Sequence, residues 1–128
     1  MKIFGIGTDI VNIKRIRRSL NNKLFLSRLF NKDEISKCKK TINSSNCFAK
    51  RFAAKEAFSK ATGFGISKNL HFKDIEIQKS KKGKPSINLN KSTIIYLKKK
   101  FKVKSFKTNL SLSDEKNYSI AYVVIEKK

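Results

Sequence analysis

Arg51-Phe-Ala-Ala-Lys-Glu-Ala-Phe-Ser-Lys-Ala-Thr-Gly-Phe-Gly65 decides how this chain is read. It reads as a helix closed by glycine, with one carboxylate, Glu56, set among Phe52, Ala53 and Ala57 and flanked by Lys55 and Lys60. A carboxylate on a largely apolar helix face costs free energy unless a cation meets it. Pairing Glu56 with Lys60 at i, i+4 contributes only about 0.2–0.5 kcal/mol, which explains a surface helix but not an acid among alanines. Lys55 and Lys60 read equally well as solvated. A second acid, Asp9, has a similarly uncharged setting in Gly5-Ile-Gly-Thr-Asp-Ile-Val11. In a chain with nine acidic residues, two such acids suggest one site, and a hard divalent cation such as Mg²⁺ is a natural occupant. Taken alone, Asp9 serves equally well as the N-cap of a following helix.

Outward from this stretch, the central helix is expected over residues 47–61, with Gly63 as a left-handed C-terminal cap. The polar loop before it offers Ser44, Ser45 and Asn46 as N-caps. Residues 2–7 read as a short buried strand. Ile10, Ile13, Ile16 and Leu20 have helical spacing, with Lys14, Arg15, Arg17 and Arg18 on the other faces, so residues 10–20 read as a helix. Short helical pieces are expected over 24–30 and 33–38. Residues 72–78 and 86–90 alternate at period two around the Lys81-Lys-Gly-Lys-Pro85 turn and read as a hairpin. A helix over 91–101 ends in Lys98-Lys-Lys100, which suits the negative end of its dipole. Strands over 105–113 and 118–126 complete an α+β domain spanning 1–128, an antiparallel sheet packed on one long helix.

At 128 residues and 14.7 kDa the chain supports one core, though not a large one. No run of about 18 apolar residues exists to span a membrane. Asp9 interrupts the N-terminal apolar run, which lacks a signal-peptide pattern, so a cytoplasmic location is expected. Cys38 and Cys47 match no zinc spacing, and His71 is the only histidine; both cysteines are expected as free thiols. The net charge of +22 would attract nucleic acid, anionic membranes or acidic proteins. Lysines are scattered through every segment, however, which reads as compositional bias filling solvated faces. Only five of the 31 basic residues are arginines: Arg15, Arg17, Arg18, Arg28 and Arg51. Their planar forks suit carboxylate or phosphate contacts, and structural ion pairs equally. A nucleic-acid-binding module is the rival reading. It is disfavoured because Phe25, Phe30, Phe48, Phe52 and Phe58 have core-like spacing and no nucleic-acid motif is present. Gly5-x-Gly7 is not a dinucleotide fingerprint, since the third glycine and a downstream ribose-binding acid are both missing. These glycines permit either close backbone packing or the approach of a ligand.

The Gly5–Val11 segment together with Arg51-Phe-Ala-Ala-Lys-Glu-Ala-Phe-Ser-Lys-Ala61 resembles the two signatures of the bacterial holo-[acyl-carrier-protein] synthase family, the short class of 4′-phosphopantetheinyl transferases. Phe72-Lys-Asp-Ile-Glu-Ile77, Gly83-Lys-Pro85 and the closing segments around Ser111, Tyr118 and Val123 fall where that family has similar stretches, so the resemblance covers essentially the whole chain. It implies transfer of the phosphopantetheine arm of coenzyme A to a serine of apo acyl carrier protein. By position, Asp9 and Glu56 would hold Mg²⁺, with Glu56 and Lys60 catalytic and Lys60 neutralising phosphate charge. Gly63, Gly65, Ile66, Lys84 and Pro85 match segments that approach the nucleotide. Arg15, Arg18 and Arg28 match the docking surface for the acidic carrier. The resemblance also implies a homotrimer with active sites between subunits, and no nucleic-acid or membrane partner. The base stays open between Glu56 and a metal-held water. A member of the family that keeps the fold but has lost activity is a further rival; retention of Asp9, Glu56 and Lys60 argues against it. Two departures stand out: Asn109 occupies the family's usual His position, and Phe64 replaces a small polar residue between the two glycines.

Overall fold

A computed structural model describes residues 1–128. Its organising contact is between the first strand and the longest helix. Strand β1 (Lys2–Asn12) pairs antiparallel with β5 (Tyr118–Lys127), and β5 pairs on its other edge with β4 (Phe106–Asp114), in the order β1-β5-β4. The alternation of β1 sends Gly5, Gly7, Asp9 and Val11 to one face, opposite Ile125, Val123, Ala121 and Ser119. Helix α4 (Ser44–Thr62) crosses that face. It lies unusually close, because a Cβ built on Gly7 would sit 1.9 Å from the Ala57 carbonyl oxygen, and one on Gly5 would sit 1.9 Å from that of Ala61. The two glycines therefore serve close backbone packing rather than ligand approach. Ala53, Ala57 and Ala61 on the helix are small for the same reason, and all are buried.

The expected strand over 2–7 is longer than its sequence pattern suggests, and the expected helix over 10–20 starts later, as α1 (Ile13–Ser19). Ile10 and Val11 belong to the ladder with β5, and Asn12, not Asp9, caps the helix by accepting from the Arg15 backbone N–H. Helices α2 (Lys23–Leu29) and α3 (Lys32–Lys40) follow. The central helix begins at Ser44, so Ser44, Ser45 and Asn46 lie inside it rather than capping it. Gly63 ends it in the left-handed conformation, with φ of 87°. The hairpin of β2 (Ile75–Lys79) and β3 (Pro85–Leu89) forms as a separate two-stranded sheet, and α5 (Lys91–Phe101) connects it to β4. The core gathers Phe30, Phe48, Phe58, Leu70, Ile75, Leu97, Val123 and Ile125 around α4.

Two findings correct the sequence reading. Cys38 and Cys47 are not free thiols: they form a disulfide, with Cα atoms 5.4 Å apart. The end of α3 and the first turn of α4 are brought together by the short Thr41–Asn43 connection, which places the pair within bridging range. Lys55 is not solvated either. Its side chain is fully buried and donates to Glu34 Oε1 at 2.8 Å and to the Phe72 carbonyl at 2.8 Å. Glu34 Oε1 also accepts from the Asn31 N–H, and Oε2 from the Ile77 N–H, so α3, α4, β2 and the turn at Phe72 meet on one ion pair. Burial pushes the Lys55 ammonium below its ordinary pKa, and the Glu34 carboxylate opposes that shift. Breaking such a pair from one side strands a buried charge. Lys55→Met is therefore expected to cost about 3–5 kcal/mol in denaturant unfolding, and Glu34→Gln with Lys55→Met together less than the sum of the two.

Candidate functional site

Because β1 runs on to Asn12, Asp9 sits on the face that α4 covers, one alternation beyond Gly7. Glu56 and Lys60, one turn apart on α4, meet it there. Asp9, Glu56 and Lys60 line one cavity of about 440 Å³ together with Asn12, Arg15, Ser19, Phe25 and Phe52. Lys60 Nζ donates to Asp9 Oδ1 at 3.1 Å and to the Thr8 carbonyl at 3.0 Å. The Glu56 carboxyl is held above the ordinary carboxylate range, first by burial and second by the Asp9 charge, with Lys60 pulling the other way. Two acids thus share one cavity and feel each other's charge, with the Lys60 ammonium paired to Asp9. That arrangement favours a bound cation or a ligand that brings one.

An adjoining cavity of about 420 Å³ shares Phe25, Phe52 and Glu56 and adds Arg28, Leu24 and Phe72. Arg15 lines the first cavity and Arg28 the second; Arg18 is exposed on α1 and lines neither. Gly63, Gly65, Ile66, Lys84 and Pro85 line neither cavity within one chain. Phe64 is not free to contact a ligand as a loop residue might: its ring packs against Tyr96 and Phe101 and lies under the Lys100 ammonium. Asn109 is on the sheet face away from α4 and donates to the Val124 carbonyl at 3.3 Å.

Sequence reading missed a third cavity, of about 580 Å³, lined by Lys37, Lys40, Lys50, Arg51 and Lys79 with Asp114 as its one acid. Arg51 is almost fully buried, donates through Nη1 to the Cys47 carbonyl and sulfur, and leaves its Nε without an acceptor. Its pKa is lowered by burial, with Glu34 opposing. The scarcity of arginine was the available signal, but the lysines come from three different elements that only the fold unites. No group of three or more His, Cys, Asp or Glu side chains is assembled anywhere in the chain.

The family model of the 4′-phosphopantetheinyl transferase superfamily matches residues 5–123. The chain belongs to this superfamily. It is 52% identical over 128 residues to the holo-[acyl-carrier-protein] synthase of Pelagibacter ubique, covering all of both chains. Its fold is similar to the crystal structure of that enzyme from Neisseria meningitidis, with a TM-score of 0.87, 38% identity and coverage of 98% of this chain and 99% of the other. The Helicobacter pylori holo-[acyl-carrier-protein] synthase, solved in complex with coenzyme A, is 41% identical with a TM-score of 0.77, covering 94% of this chain and 99% of its own. Membership accounts for the α+β fold, and the cavity lined by Asp9, Glu56 and Lys60 lies within the matched residues.

Proposed function

We propose that this chain transfers the 4′-phosphopantetheine arm of coenzyme A to a serine of an apo acyl carrier protein, releasing adenosine 3′,5′-bisphosphate, in the service of lipid synthesis. The observation that carries the reading is the convergence of Asp9, Glu56 and Lys60 on one cavity beside an arginine-bearing helix. Residues 1–128 act as one transferase domain, in the cytoplasm, with neither nucleic acid nor membrane as partner.

Asp9 and Glu56 are the residues that would hold Mg²⁺. Mg²⁺ commonly takes one or two carboxylates and completes its shell with water and substrate phosphates, so the pair suffices. Burial first and the Asp9 charge second disfavour the Glu56 anion, and a divalent cation beside it would offset both. When bound, the metal supplies charge neutralisation on diphosphate oxygens. Lys60 holds a second positive charge at the same place. Its side chain is half exposed and can leave Asp9 for a phosphate oxygen without losing a buried partner. Phe25 and Phe52 narrow the site and strengthen these interactions by limiting water. The nucleophile belongs to the carrier, so no Ser–His pair is needed here. Arg15 and Arg28, at the rims of the two cavities, and Arg18 beside them supply forked donors for the acidic carrier surface.

Coenzyme A carries a phosphate beyond its diphosphate, and the cation-rich cavity around Arg51 suits it. Arg51 and Glu56 are about 7.5 Å apart along the α4 axis and about 140° apart around it. One subunit therefore opens the two cavities on different sides. A neighbouring copy can bring its basic cavity, and its Gly63, Gly65, Ile66, Lys84 and Pro85 segments, to the same ligand. The sheet face away from α4 favours such an assembly: Ile6, Ile10, Tyr118, Ile120 and Tyr122 are all exposed there, Ile10 at 62%. Light scattering should give three times the chain mass at micromolar concentration, whereas a monomer contradicts the shared site. The reaction itself is tested by chromatography. Adenosine 3′,5′-bisphosphate should appear when coenzyme A and apo carrier are both present, and should not appear when the carrier serine is replaced by alanine. Its release at the same rate without the carrier serine would refute transfer.

A further inference from the structure

The cation-rich cavity has a covalent bond in its wall. Cys47, in the first turn of α4, lines this cavity and is bonded to Cys38 near the end of α3. At this end the two helices are joined along the chain by the exposed Thr41–Asn43 turn, while the Glu34–Lys55 ion pair ties them further along. Lys37 and Lys40 reach the cavity from α3, Lys50 and Arg51 from α4 and Lys79 from β2, so the bridge fixes the spacing between the α3 and α4 members of the cation set. Arg51 Nη1 donates to Cys47 Sγ at 3.0 Å. A disulfide sulfur is a weak acceptor, whereas a thiolate is a strong one. The surrounding cations and the N-terminal turn of α4 favour a thiolate at Cys47. Cys38 is fully buried, while Cys47 keeps 8% exposure. Cys47 lines the cavity and Cys38 does not, so a small reagent entering it meets Cys47 first.

We propose that the Cys38–Cys47 pair is a thiol–disulfide exchange site, that its reaction partner is a small acidic thiol of the glutathione type, and that its state sets the affinity of the basic cavity for phosphate. The choice of ligand rests on the coenzyme A reading above; the sulfur chemistry rests on the geometry. The partner thiolate attacks Cys47 Sγ, and the S–S electron pair leaves with Cys38, which takes a proton. A second partner thiolate then attacks the partner's own sulfur in the mixed disulfide, releasing the Cys47 thiolate beside Arg51. One protein disulfide is reduced to two thiols while two partner thiols are oxidised to one disulfide. The excess positive charge of the cavity draws a thiol bearing carboxylates. In the opened state Arg51 turns its fork to an internal anion, and the covalent tie between the α3 and α4 cations is gone. Both changes weaken a bound phosphate.

The test uses the full chain equilibrated at varied ratios of reduced to oxidised glutathione, quenched in acid, alkylated and weighed. The folded protein should pass between a form that takes no alkyl groups and one that takes two, and Cys38→Ser should accumulate one glutathione on Cys47. Cysteines that stay closed, or stay open, at every ratio overturn the exchange site. Adenosine 3′,5′-bisphosphate is then titrated calorimetrically into both forms, with binding to the reduced form expected to be about tenfold weaker. Equal affinities overturn the coupling. Arm transfer is followed on the same samples. A chain that exchanges thiols and binds the bisphosphate unequally but transfers nothing retains the exchange site and loses the transferase reading. One that transfers, but binds equally in both states, retains the transferase reading and loses the switch.

Discussion

Glu56→Gln is expected to abolish transfer and to leave the fold as stable as before, or slightly more stable. Gln keeps the size and one oxygen of Glu56 but removes the charge that the proposed cation site would need. The loss expected in kcat/KM is about 10²–10³-fold or more, on the scale of removing one electrostatic contact to a developing charge. The stability half of this prediction follows from the sign of the Glu56 shift. Burial and the Asp9 charge both disfavour the Glu56 anion, so its folded pKa lies above the ordinary value. A group shifted that way contributes stability only when protonated, and loses it as pH rises through the folded pKa. A neutral Gln removes that loss at neutral pH. The melting temperature should hold or rise while turnover collapses, the signature of a residue kept for function at the expense of stability. Turnover that survives the substitution would remove Glu56 from the site.

Gly7→Ala carries the largest effect on the fold. The added Cβ would lie 1.9 Å from the Ala57 carbonyl oxygen and 2.8 Å from the Ala61 nitrogen. Both obstacles are backbone, so no rotamer change relieves them; β1 or α4 must move. Overpacking a core usually costs about 1–3 kcal/mol, and backbone obstruction should exceed that range. Because α4 carries Glu56 and Lys60 while β1 carries Asp9, the displacement also pulls the site apart, and activity should fall further than the loss of folded protein explains. Gly63→Ala is the control. Nothing lies within 4 Å of its Cβ, and the only penalty is the left-handed backbone at φ +87°, about 1 kcal/mol. Urea unfolding of the two variants side by side separates steric obstruction from backbone strain, and a Gly7→Ala variant no less stable than Gly63→Ala would contradict the close strand–helix contact.

The chain announces its central helix and its hairpin plainly, because glycine, proline and period-two alternation act locally there. Helix α5 begins and ends at the residues its pattern marks. The N-terminal boundary misleads, since Ile10, Ile13, Ile16 and Leu20 are spaced for a helix while Ile10 and Val11 are claimed by the ladder with β5, more than a hundred residues away. That displacement matters for function: only as a strand residue does Asp9 face α4. Lys55 is hidden in the same way. Next to Glu56 it looks like one more lysine in a lysine-rich chain, and its partner Glu34 lies on another helix. The disulfide and the basic cavity likewise arise from α3 and α4 meeting end to end, which no local pattern in either helix specifies. Asp9, Glu56 and Lys60, which the fold brings to one cavity, stand out in the sequence because each acid sits among uncharged neighbours in a chain otherwise crowded with lysine.

The most direct measurement weighs an apo acyl carrier protein by intact-mass spectrometry after incubation with this chain, coenzyme A and Mg²⁺. A gain of one phosphopantetheine arm per carrier, lost when a chelator is added and restored by excess Mg²⁺, is the predicted result. A carrier mass that does not change, with folded protein and a carrier from the same organism, would contradict the transferase account.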